Sequence, residues 1–194
     1  MDIINSMRIQ TNLRSCLGLN DIDRSLHAAT VEIDERNGAP AGTLTHNITN
    51  TNMGSTDAVN LDPVANPVTP GNNTYEKWQQ IHVTAMGGSS QINNLKVWRT
   101  GALGGAATHV TNARTSSYGG AATYATPIAT ASTLATQAMP TSAPGTANLG
   151  IGGSLTGALT ATGSSDYLIH QIQTNAADTA GSTSTMNYQY DEVA

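Results

Sequence analysis

The chain has 194 residues, a formal net charge of -5, 11% charged residues, a single cysteine and no phenylalanine. Its few basic residues are scattered and cannot track a phosphate backbone, which argues against nucleic acid as a partner, and Cys16 alone supports neither an internal disulfide nor a multi-cysteine metal site. The 38% apolar content leans on alanine, so the expected core is small, while the low net charge favours folding over disorder.

The opening MDIINSMRIQ carries no apolar signal core and no run of membrane-spanning length, so neither a secretion signal nor an anchor is expected, and the chain is expected to be made in the cytoplasm. Residues 1–27 alternate short apolar groups with polar ones without a sustained period. They are expected to form an N-terminal arm lying against the chain's own body or a neighbour, with Ile3, Ile4, Leu13, Leu17 and Leu19 as contact residues.

Residues 28–194 are expected to form one β domain. From Ala28 to Asn50, Val31 and Ile33 alternate with Glu32 and Asp34, Asn37-Gly38 marks a turn, and Leu44, His46 and Ile48 alternate on the return; this predicts a hairpin. The following stretch contains Pro63, Pro67 and Pro70 and reads as a long loop. A loop of that length commonly serves an interface, and Met53, Val59, Leu61 and Val64 are its candidate contact residues.

The segment YEKWQQIHVTAMGGSSQINNLKVWRT, from Tyr75 to Thr100, holds both tryptophans and both lysines. Its alternation of Ile81, Val83, Leu95 and Val97 predicts two strands joined by a glycine turn as a central hairpin, with Trp78 and Trp98 in the core. Residues 101–153 are rich in Gly, Ala, Thr and Ser. They read as an excursion from the same domain, with short strands near Thr108–Arg114 and Ala122–Thr126 and with Tyr118 and Tyr124 as contact candidates.

Strand signals return in SLTGALTAT, in DYLIHQIQT and in STMNYQYDEV, where Met186, Tyr188 and Tyr190 share one face. No helical period of ten or more residues appears anywhere. The fold class is therefore all-β: an antiparallel β-sandwich, jelly-roll-like, with long loops and an N-terminal arm.

Catalytic patterns are absent. Nucleophile elbows, zinc-protease helices and phosphate loops do not occur, and the glycines Gly150, Gly152 and Gly153 lack the spacing and following helix of a dinucleotide site. Asp34 with Glu35, and Asp191 with Glu192, point to opposite faces in a strand and read as solvated charge rather than as a carboxylate pair sharing one bond. His46, His82 and His170 each fall in a predicted strand and would form a metal site if those strands met, yet strand histidines are more often polar neighbours. Asp57, Asn60 and Asp62 lack the spacing of a calcium loop. No metal, no cofactor and no enzymatic activity are expected.

The order of NLDP with GNNTYEKW, then INNLKVWRTGAL, then YATP with PTSAPG, then GSSDYLIHQIQ and MNYQYDEV resembles a group of small tailed-bacteriophage virion proteins, over about residues 43–193. The resemblance implies a β-sandwich structural component of the particle, a head decoration (cement) protein seated on the major capsid protein. It also implies a homo-oligomer, often a trimer, located on the virion head after assembly in the host cytoplasm, and it supplies no catalytic residues. A tail, collar or baseplate component is a second expectation. A glycan- or receptor-binding module using Trp78, Trp98 or the tyrosines is a third.

Overall fold

A computed structural model describes residues 6–11, 28–112, 124–179 and 183–194. Among them there is no helix, and the strands assemble into two sheets. The strands are β1 (Ser6–Thr11), β2 (Thr30–Asn37), β3 (Thr43–Thr45), β4 (Lys77–Ala85), β5 (Gln91–Thr100) and β6 (Thr108–Asn112), followed by β7 (Gln137–Ala138), β8 (Ala158–Leu159), β9 (Gly163–Ser164), β10 (Leu168–Gln173) and β11 (Thr183–Val193). One sheet runs β1-β11-β5-β8; the other runs β3-β2-β4-β10-β6-β7, with β9 also paired to β4. All pairings are antiparallel except that of β1 with β11.

The period-two pattern sorts side chains to the two faces of each sheet. From the larger sheet, Ile33, Ile81, Val83, Leu168 and Ile172 face Ile92, Leu95, Val97, Met186, Tyr188 and Tyr190 of the smaller one, and these residues form one continuous buried cluster. The all-β, sandwich-like architecture is as the sequence pattern predicts. The hairpin of β2 and β3 forms as expected, with Asn37 opposite Thr43 and Gly38 at φ +86° in the connection. That left-handed value is one glycine adopts without steric cost.

The central hairpin does not form. β4 and β5 lie in different sheets, because both edges of β4 are taken by β2 and β10 while β5 pairs with β11 and β8. The link 86–90 is an arch that carries the chain across the core, so the apolar faces of the two strands meet face to face rather than side by side. Alternation is identical in a hairpin and an arch, and the sequence pattern cannot separate them.

Trp98 also departs from expectation: it is half-buried, on the side of β5 opposite the buried Val97. Trp78 is fully buried, but in a second cluster on the outer face of the larger sheet with Tyr167, Ile169 and Ala135, joined by Val110, Tyr124 and Ala125. The excursion supplies the cover for this face. No strand forms from Tyr124 to Thr126, and residues 113–123 lie outside the described ones. SLTGALTAT likewise forms only the short β8 rather than a full strand.

Two buried amides pin the excursion down. Gln171 on β10 donates from Nε2 to Thr74 O (2.9 Å) and Thr130 O (2.8 Å) and accepts at Oε1 from Ser132 N (2.9 Å). The Asn148 side chain accepts from Val97 N and donates to Val97 O, both at 2.8 Å, standing in for a neighbouring strand beside β5. These bonds satisfy backbone groups that would otherwise be buried without partners.

Candidate functional site

Among the described residues, one group of potential metal-ligating side chains lies on the outer face of the larger sheet, where β2 runs between β3 and β4. Glu32 and Asp34 are two apart on β2 and so share a face. Register places His82 on β4 directly opposite Glu32. His46 follows β3, whose Thr45 is opposite Glu35, and this brings its ring over Asp34.

The four side chains converge. His46 Nδ1 lies 2.7 Å from Asp34 Oδ2 and 3.5 Å from Glu32 Oε1, while His82 Nδ1 lies 2.9 Å and 3.1 Å from the same two oxygens. One potential ligand atom from each residue lies within 4.8 Å of the others. The imidazole rings are 5.2 Å apart and tilted by 42°. Asp34 forms a floor with no exposed side-chain surface, and the His46 side chain is 56% exposed at the entrance. Asn47, at φ +50°, turns its N–H onto Asp34 Oδ1 (3.2 Å), leaving Oδ2 to face the imidazoles. Asn tolerates this left-handed backbone better than most residues.

The opposite, inward face carries a buried polar chain. Lys77 Nζ donates to Glu35 Oε1 (2.6 Å) and Ala58 O (2.6 Å), and Gln79 Nε2 donates to Glu35 Oε2 (2.8 Å). That fixes the Gln79 amide with Oε1 as acceptor, for the Tyr188 hydroxyl (2.9 Å) and for His170 Nε2 (3.0 Å). His170 must then carry its proton on Nε2, so its Nδ1 accepts from His109 Nε2–H at 2.9 Å. His109 Nδ1 is left as a bare lone pair, and it is the buried ring nitrogen without a partner. Burial, and then the nearby Lys77 ammonium, lowers the His170 pKa to about 3. Burial first, then His170 and Arg99, holds His109 well below 6.5. Burial and then Glu35 push the Tyr188 hydroxyl upward.

Two readings of the sequence, those of the histidines and of the Asp34–Glu35 pair, are corrected by the structure. His46 and His82 meet, but His170 faces the other side of the sheet and pairs with His109. Asp34 and Glu35 do point to opposite faces, yet both are buried rather than solvated. Asp57, Asn60 and Asp62 do not converge on one point: their oxygens accept from Asn37 and Gly38, from Thr49 and Asn50, and from Val64.

Among the expected contact residues, Met53 and Leu61 are buried in the chain's own interior and are withdrawn from any partner, because the proline-containing loop folds its apolar groups inward. Val59 is partly buried against the main core. Val64 is 64% exposed. Tyr124 stands edge-on to Trp78 with Arg36 over its ring, and its hydroxyl donates to Gly38 O. Ile3, Ile4, Leu13, Leu17, Leu19 and Tyr118 lie outside the described residues. An open groove of about 470 Å³ runs between the loop and the excursion, with Ser55, Thr69, Asn72 and Thr130 in its wall and no ionisable side chain.

No family model, curated protein or solved structure matches the chain.

Sequence reasoning singled out His46 and His82 but missed Glu32 and Asp34 as the partners that complete their cluster. Only the pairing of β2 with both β3 and β4 unites four residues spread over fifty positions. The one available signal was the i, i+2 spacing of the two carboxylates in a strand flanked by histidine-bearing strands.

Proposed function

We propose that the chain is a structural component of a tailed-bacteriophage particle, seated on the head as a decoration protein that bridges neighbouring major capsid subunits as a homo-oligomer. The observation that supports this reading most is the treatment of the long loops. Residues 51–73 and 124–153 contain almost no strand, yet they are held against the sheets by buried side-chain hydrogen bonds from Gln171 and Asn148 and by buried Met53, Leu61 and Val68. Fixed loops of this length are a surface built for contact rather than slack.

That surface is polar. Among the described residues, the exposed large hydrophobic side chains are Val64, Leu134 and Val193, on three different segments. A polar surface suits a subunit that folds first and then docks on a finished shell, burying on the order of 1,000 Å² per stable contact and adding many weak contacts by multivalency. The edge strand β1 fits the same picture, since an arm paired along β11 is a segment that can add to a neighbour's sheet instead. Jelly-roll connectivity and trimeric assembly at lattice junctions belong to this proposal. Full burial of Trp78 weighs against a carbohydrate platform built on it.

The test is quantification of the chain in purified particles of the phage that encodes it, followed by its localisation in particle images. High copy number on the head is expected, and Val64→Asp together with an arm deletion should reduce it. A copy number matching the tail's six-fold symmetry would move the protein to the tail, and its absence from particles would end the reading.

A further inference from the structure

We propose that Glu32, Asp34, His46 and His82 bind one divalent first-row transition ion, with zinc the expected occupant, at a site that ties the β2–β3 hairpin to β4. This goes beyond the particle role and does not depend on it.

Geometry is the first support. A tetrahedral zinc site with ligands at about 2.0–2.1 Å places neighbouring ligand atoms about 3.3 Å apart. The four imidazole-to-carboxylate separations are 2.7, 2.9, 3.1 and 3.5 Å, so small side-chain rotations bring the donors to that spacing. Both histidines present the same nitrogen, Nδ1, toward the same two oxygens.

Charge is the second. Among the described residues no lysine or arginine pairs with Glu32 or Asp34; Lys77 is committed to Glu35, and Arg36 donates to Tyr167 Oη (2.6 Å) and Ala41 O (2.6 Å). Two carboxylates face one point, one of them fully buried, and a divalent ion balances their charge. Such a buried carboxylate is costly without a cation.

The surroundings are those of a built site. The Asn47 N–H holds Asp34 Oδ1 and so aims Oδ2 inward, the outer-shell support that ligating carboxylates commonly receive. The exposed His46 ring supplies an entry path. Two imidazoles and two carboxylates select a borderline ion such as zinc over magnesium or calcium, which prefer oxygen alone. Four protein ligands fill a tetrahedral zinc ion, so the role is structural: it locks a three-residue edge strand, β3, that its own pairing holds weakly.

The experiment titrates chelator-stripped, full-length protein with Zn²⁺ and separately with Co²⁺. One equivalent should bind, the Co²⁺ form should show the intense visible bands of a tetrahedral nitrogen–oxygen site, and saturating Zn²⁺ should raise the melting temperature by about 5 °C or more. His46→Ala should lose at least about tenfold in affinity, and Zn²⁺ at the concentration that saturates the parent should no longer raise its melting temperature by that amount. Glu32→Gln should act in the same direction. Absence of stoichiometric uptake, uptake undisturbed by His46→Ala, or preference for Mg²⁺ or Ca²⁺ would each overturn the assignment.

Discussion

Acidification is the perturbation that the buried His109–His170 pair answers most directly. In the folded chain His170 stays neutral until about pH 3 and His109 is held well below 6.5, whereas both protonate near 6.5 once unfolded. Below 6.5 the unfolded state therefore binds more protons. Their stabilising contribution is complete above that pH and is lost as the pH falls toward the lowered values of the folded state, about 3 for His170. A fully developed difference of one proton changes stability by about 1.4 kcal/mol per pH unit. Integrated from about pH 7.5 to about pH 5, the loss is about 2 kcal/mol for His170, and His109 adds to it in the same direction. That is a large share of the 5–15 kcal/mol on which domains commonly stand.

The assay is urea unfolding at pH steps between those limits, above the range where ordinary carboxylates titrate. His109→Gln keeps a donor for His170 Nδ1 and removes one titrating group, so the slope against pH should fall. A flat profile in the parent protein, or an unchanged slope in His109→Gln, would refute the hydrogen-bond order that runs from Glu35 through Gln79 to His109.

Lys77→Met leaves the Glu35 carboxylate buried without its cation and should cost about 3–5 kcal/mol in denaturant unfolding, with much of the loss restored by adding Glu35→Gln. The same replacement removes the charge that helps depress His170, so its pKa, followed by NMR, should rise. Trp78→Ala empties the centre of the outer cluster and should cost about 3–5 kcal/mol by the same measurement. Gly105→Ala adds a Cβ about 2.3 Å from Asp178 Oδ1 at φ +63°, where Asp178 also accepts from Ala106 N; a drop of about 1–3 kcal/mol is expected.

Legibility followed the range of the interactions. The hairpin from Thr30 to Thr45 and the strands through Leu168–Gln173 and Thr183–Val193 were readable, because their alternation and turn residues act over a few positions. The arch between Ala85 and Gln91 was not, since two alternating strands carry the same pattern whether they pair or face each other. The loop residues Met53 and Leu61 look like contact residues in a polar, proline-containing stretch, and only the packing reveals them as core.

The sequence by itself determined an all-β chain, its principal strands and which residues of each share a face, because a period of two is written locally in the side chains. Tertiary structure alone decided which strands became neighbours. That choice put His46 and His82 against Glu32 and Asp34 on one face and His170 against His109 on the other, since strand order and register depend on which edges are already paired and on burying two apolar faces together.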